Sequence, residues 1–301
     1  MRNRRGGRSS SALAALLFPS LMTATAFATE GGGNTYPVGA ENFLAGAAPP
    51  PGKYFINYTV HYRASTFRDG SGNSAIPGFK LNVTANAFRF LHITDVRILG
   101  GNLGWDVVVP VLKVDVSLPG RSQSKEGLGD IVVDPIGIVW HSNNYHSVAL
   151  LEMFIPTGRY DKADLANLGR NHWSFAPMYA GTYLAGNGFE ASFRAQYDIN
   201  TRNNATDYRS GHEFHVEYNL AQHFGNLALG LNGYYYKQTT DDRLAGAKVG
   251  PDGNRGQAFA WGPGVRYQHK NVSFVGTYQR ETHVRNKPEG NKFWVKAYVP
   301  F

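Results

Sequence analysis

The sequence predicts an all-β fold: a transmembrane antiparallel up-and-down β-barrel of about 12 strands, with short periplasmic turns and long extracellular loops. Three observations predict it. Apolar and polar residues alternate with a period of two in segment after segment, long polar connections alternate with tight ones, and the chain closes on an alternating strand that ends in Phe301. A period of two marks strands with one apolar face. An even strand number with alternating short and long connections is the organisation of a single-chain outer-membrane barrel.

The N-terminus sets the compartment. Arg2, Arg4, Arg5 and Arg8 precede a short apolar run from Ala12 to Phe18, and Ala26-Phe27-Ala28 supplies a small-x-small cleavage site. Residues 1–28 therefore read as a signal peptide. Pro19 and Ser20 interrupt the run far short of the roughly 20 apolar residues that a spanning helix needs. The whole chain is formally +8, and removing the leader takes four arginines away, leaving 26 basic against 22 acidic side chains. A charge this mild does not point to nucleic acid. The chain has no cysteine, which excludes disulfides and thiolate metal sites.

Residues 29–52 are rich in Gly, Ala and Pro and include Pro49-Pro50-Pro51, so they do not join a ladder readily. They read as a periplasmic tail or as a plug, and Phe43 and Leu44 are the adjacent large apolar pair that a plug would use. The barrel itself is expected over 53–301. Its clearest strand is 189–200, where Phe189, Ala191, Phe193, Ala195, Tyr197 and Ile199 alternate with Glu190, Ser192, Arg194, Gln196, Asp198 and Asn200. Phe214, Val216, Tyr218 and Leu220 then alternate with Glu213, His215, Glu217 and Asn219, and a third strand runs from Leu227 to Tyr236. Nine noisier strands fall near 53–64, 79–92, 103–117, 128–140, 145–156, 172–184, 258–269, 271–283 and 291–301. Long loops are expected at 65–78, 118–127, 157–171, 201–211, 239–257 and 284–290. The stretch 93–102 breaks the rhythm, and Pro110 disturbs the strand that follows it.

The inward polar faces carry the functional expectation. Diameter grows with strand number, and twelve strands leave a narrow lumen rather than a filled core. Glu190, Arg194, Asp198, Glu213, His215 and Glu217 are the expected wall of a substrate pathway, whereas Tyr197, Tyr218, Tyr235, Trp261 and Tyr267 face lipid as girdle residues. No catalytic set emerges. His141-Ser142 and His146-Ser147 are adjacent pairs whose side chains point to opposite faces of a strand. No metal site emerges either, because His212 and His215 diverge and His215 with Glu217 lacks a third ligand. No cofactor is expected.

The residues Glu30-Gly31-Gly32, Pro49-Pro50-Pro51-Gly52-Lys53-Tyr54, Gly127-Leu128-Gly129-Asp130, Pro156-Thr157-Gly158-Arg159-Tyr160, Gly262-Pro263 and Lys292-Phe293-Trp294-Val295-Lys296 occur in this order over nearly all of the chain after the leader. In them the chain resembles the bacterial outer-membrane transporters of the meta-pathway of phenol degradation. The resemblance implies a bacterial outer-membrane barrel concerned with uptake of aromatic or other hydrophobic compounds. Expected partners are outer-membrane lipid, a small-molecule solute and the barrel-assembly machinery, which would recognise the strand ending in Phe301. Two other readings stay open: a surface-interaction barrel using its extracellular loops, and a lipid-modifying barrel enzyme.

Overall fold

The structure, a computed structural model, describes Glu30 and residues 32–301. The expected signal peptide lies outside the described residues. Among those residues there is no helix, and seventeen strands occur. They are β1 Gly52–Phe67, β2 Lys80–Ile98, β3 Gly101–Leu118, β4 Arg121–Leu128, β5 Ile131–His141, β6 Tyr145–Ile155, β7 Ser174–Leu184, β8 Phe189–Asn200, β9 Arg202–Asn203, β10 Tyr208–Arg209, β11 Glu213–Phe224, β12 Leu227–Gln238, β13 Arg243–Leu244, β14 Ala247–Lys248, β15 Gln257–His269, β16 Val272–Arg285 and β17 Pro288–Pro300.

Every strand of the main sheet pairs antiparallel with its neighbours, β1 pairs with β17, and β2 pairs with β3, so the sheet closes on itself. Both β4 and β5 pair with β3 and act as one interrupted stave, giving a barrel of twelve staves. Closure leaves no unpaired edge in lipid, which is what allows strands to cross a membrane. The two-residue strands β9, β10, β13 and β14 form a small separate sheet in the connections 201–212 and 239–256.

Two expected loops, and the stretch 93–102 that breaks the rhythm, are shorter than the polarity of their residues suggests. Residues 118–127 form a hairpin in which β3 turns at Pro119-Gly120 into β4. Residues 284–290 contract to a turn at Asn286-Lys287 between β16 and β17, and 93–102 is mostly strand, with its turn at Leu99-Gly100. Polar side chains on strands that project beyond the bilayer read as loop because water, not lipid, faces them. Pro110 sits inside β3, and its C=O accepts from Gly129 N at 2.9 Å. The missing N–H of proline therefore falls on the β4/β5 side, where the stave is interrupted at Gly129-Asp130 and no ladder bond is forfeited.

The alternation is realised as read. On β8, Phe189, Phe193 and Ile199 are exposed while Glu190, Arg194 and Asp198 are buried. Leu220, Leu229, Leu231, Val265, Phe274 and Val295 continue the exposed apolar surface around the barrel, with Trp105, Tyr145, Tyr183 and Tyr267 among its aromatics. An apolar exterior this continuous suits lipid and not water. Together with closure, it places the protein in the bacterial outer membrane. The first strand of the barrel begins and the last one ends at the rim of the tight turns, the periplasmic rim of such barrels.

Candidate functional site

The segment from Glu30 to Pro51 threads the lumen from the extracellular rim to the periplasmic one. At the top the Glu30 carboxylate accepts from Tyr160 Oη at 2.9 Å and Asn203 Nδ2 at 2.6 Å. Near the bottom Gly46 N donates to Thr182 Oγ1 at 2.9 Å. The segment contains turns and bends but no strand. Its backbone groups, excluded from water and lacking a ladder, need side-chain partners.

The barrel wall supplies those partners by charge. Carboxylates take the amides: Thr35 N donates to Glu213 Oε2 at 3.1 Å, Leu44 N to Glu190 Oε1 at 2.8 Å, and Gly39 N and Glu41 N to Glu217. Cationic and amide groups reach the carbonyls: Lys292 Nζ donates to Val38 O at 2.8 Å, Lys296 Nζ to Ala40 O at 2.6 Å, and Gln279 Nε2 to Gly39 O at 3.2 Å. Charge-assisted bonds of this kind are about twice as strong as neutral ones. Tyr36 sits between Arg194, whose guanidinium carbon is 4.0 Å from the ring centre, and the parallel ring of His215 at 4.8 Å.

Close approach is built into two glycines of the segment. A Cβ on Gly46 would lie 2.6 Å from the backbone of Gly181. Gly39 has φ +96°, a left-handed conformation, with Gln279 against its Cα. Phe43, 4% exposed, packs on Ala221, Ala228 and Val275. Leu44, with φ +56°, borders the lower part of the lumen.

All six residues expected to line the pathway face inward. The register sets Glu213 opposite Asp198 and Glu217 opposite Arg194 on adjoining strands. All six hold the N-terminal segment or each other: Glu190, Glu213 and Glu217 bind its amides, His215 and Arg194 flank Tyr36, and Asp198 Oδ2 lies 3.3 Å from His215 Nε2. Arg194 is the one of the six that borders free space.

That free space consists of two cavities stacked along the opposite wall. The upper one, about 520 Å³, is bounded by Leu81, Val83, Ala85, Val108, Leu112 and Val114 of β2 and β3. Its roof is the connection between β6 and β7, where Ala166 and Leu168 pack on Val114. The lower cavity, about 350 Å³, is bounded by Ile56, Leu91, Ile93, Val139, Val148 and Met178. Both cavities touch Glu41, Arg89 and Arg194, which form a waist between them.

Charges are concentrated at this waist. Arg89 Nη2 reaches Asp106 Oδ2 at 2.5 Å and Asp134 Oδ2 at 3.2 Å, and its Nη1 reaches Glu41 Oε1 at 3.4 Å. Arg194 reaches Glu152 at 3.3 Å and Glu217 at 3.9 Å. Lys296 lies 3.6 Å from Glu41. Glu41 is thus paired with two cations at once, Arg89 and Lys296.

The sequence reading missed Glu41, Arg89, Asp106, Asp134 and Glu152. The signal of the four on strands is a lone charge in an otherwise apolar inward row, as with Arg89 between Ala87 and Leu91, whereas Glu41 lies in the strandless N-terminal segment. The two His-Ser pairs form no nucleophile and base: Ser142 Oγ donates to Tyr145 O at 2.7 Å, while His141 and His146 meet each other, Nδ1 to Nδ1 at 3.0 Å. Among the described residues no group of His, Asp and Glu is arranged to hold a metal ion.

Comparison with known proteins places the barrel in a family. It is similar to the crystal structure of the COG4313 outer membrane channel from Pseudomonas putida F1, with TM-score 0.76 and 16% identity over 89% of this chain and 100% of that one. The β domain of the Bordetella autotransporter BrkA has TM-score 0.49 and 9% identity over 83% of this chain and 99% of that one. No curated protein sequence matches the chain. A family model does, from residue 64 to residue 297, and by that match over most of its length the protein belongs to the family described as "Putative MetA-pathway of phenol degradation".

Proposed function

We propose that the protein is a channel for passive passage of small hydrophobic compounds, aromatic ones such as phenols among them, across the outer membrane. One observation carries the reading: two cavities lie end to end along an apolar wall and share the charged lining residues Glu41, Arg89 and Arg194, while the N-terminal segment occupies the polar wall. Apolar lining with a few placed polar groups is the character of small-molecule sites, and a phenolic solute is flat, apolar and hydroxylated. The similar structure from Pseudomonas putida F1 is itself described as a channel, and the family description names phenol degradation.

In this reading residues 30–51 are a plug, held by Glu190, Glu213, Glu217, Lys292 and Lys296, and Arg194 is the member of the polar wall that meets the solute. Phe301, exposed at the rim with its amide bonded to Lys53 O, completes the strand that the barrel-assembly machinery would engage. The experiment is single-channel recording in planar bilayers of the full chain and of a chain lacking residues 30–48. A small conductance in the first and a severalfold larger one in the second supports a plugged channel. A correctly folded barrel with no current in either form ends the channel reading and favours a surface-interaction role for the loops.

A further inference from the structure

Resting on the channel reading, we infer that Asp106 and Asp134 are the specificity-determining residues of the waist: they admit solutes bearing a hydrogen-bond donor head, hydroxyl or ammonium, and turn back carboxylates. The two residues are direct neighbours on β3 and β5. They are 2% and 1% exposed, and both border the lower cavity. Each spends Oδ2 on Arg89, while Oδ1 of each has no hydrogen-bond partner. A buried acceptor without a donor is costly, and a solute that brings an O–H or N–H to this point recovers part of that cost.

The charge balance agrees. Glu41, Asp106, Asp134, Glu152 and Glu217 stand against Arg89, Arg194 and Lys296, all linked by the contacts given above. Within this linked set the carboxyl side chains outnumber the cationic ones, five to three. Arg89 Nε and Arg194 Nη1 also lack hydrogen-bond partners. Their charges are nevertheless engaged, Arg89 by three carboxylates and Arg194 by two and by the face of Tyr36. An approaching carboxylate thus meets unpaired acceptors in a set richer in carboxyl groups than in cations, and rings of acidic side chains select for cations.

The test compares two aromatic ions of one shape, tyramine as its hydrochloride and 4-hydroxyphenylacetate as its potassium salt. Permeability ratios are read from reversal potentials across bilayers holding the full chain, and then Asp106→Asn, Asp134→Asn and the double variant. Heat-modifiable mobility on gels shows that each variant has folded. The expected result is that tyramine permeates about tenfold better than 4-hydroxyphenylacetate in the original chain, the factor that about 1.4 kcal/mol confers. The preference should shrink in each single variant and fall to about twofold or less in the double. Conduction without preference, or a preference unchanged in the double variant, overturns the inference and leaves the channel standing. A folded barrel that conducts neither ion, with or without residues 30–48, overturns the channel reading instead.

Discussion

The two halves of the barrel interior are built from opposite chemistries. From β8 through β12, and again on β16 and β17, inward positions are Glu190, Arg194, Gln196, Glu213, Glu217, Asn232, Gln279, Lys292 and Lys296, almost all fully buried. From β2 through β6 they are mostly apolar, with Val83, Ala85, Leu91, Ile93, Val108, Val114, Val132 and Val148 broken by the waist charges Arg89, Asp106, Asp134 and Glu152. In a water-filled pore of one function there is no reason for such a division. It follows once the N-terminal segment is considered, because an irregular backbone held out of water requires ionic and amide partners, and nothing on the other side makes that demand. The polar wall bonds the resident segment, and in the proposed channel the apolar wall borders the path of the solute.

The comparison breaks most readily at Glu217. Removing this carboxylate in Glu217→Ala leaves Gly39 N, Glu41 N and Arg194 short of a partner, and breaking a buried ionic contact on one side costs about 3–5 kcal/mol. Hydrogen exchange should show the amides of residues 35–46 losing protection while the β11–β12 ladder keeps its own. Joint loss of both would show that the wall and the segment are one cooperative unit.

A somewhat smaller effect separates exterior from interior. Phe193→Arg places a cation on the lipid face and should cost about 2–4 kcal/mol in reversible unfolding in lipid. Val83→Arg, which enters the upper cavity, should cost about 1 kcal/mol or less, in the range of accessible sites. Alternation alone suggests Ser192→Arg as the mild control, but Ser192 is 5% exposed and bonded to Thr182 and Glu190 beneath the N-terminal segment. Arginine there should be costly as well.

The apolar wall is tested by narrowing it. Val108→Trp fills part of the upper cavity and should lower tyramine current about threefold, equivalent to about 0.7 kcal/mol, without changing the ratio between tyramine and 4-hydroxyphenylacetate. A changed ratio would move the selective point upward from the waist.

The smallest effect is confined to the loops above the polar wall. Asp242, buried where it accepts from Tyr208, Gly211 and Gln238, has its pKa pushed by that burial from 3.8 to about 6. The folded carboxyl holds its proton more tightly than the unfolded one, so stability falls as pH rises from about 4 to about 6 and levels beyond. Protease cleavage within 239–256 should increase over that window, and Asp242→Asn should abolish the dependence. The connection between β6 and β7, over the apolar wall, should show no such change.

Strand number, facing and the polar wall were legible in the sequence because period two is a local property, and a lipid exterior forces it to be strict from Phe189 to Tyr236. The apolar wall was harder to read. On β1 through β3 the inward rows are apolar while outward positions such as Asn57, Thr59 and Asn86 are polar and bond to one another. There alternation shows that a strand exists without saying which face is which. The waist was illegible for another reason: Arg89, Asp106 and Asp134 are single charges on three different strands, and only closure of the barrel brings them together.

By itself, then, the sequence determined the fold class, the membrane it suits and the set Glu190, Arg194, Asp198, Glu213, His215 and Glu217 as inward-facing, since each follows from alternation within a dozen residues. Only the tertiary structure decided what those side chains meet. Thr35 finds Glu213 across 178 positions of chain, and Lys296 finds Ala40 across 256. No local preference encodes such a contact: it forms because a closed barrel excludes water from the threaded segment and leaves its backbone no other partners.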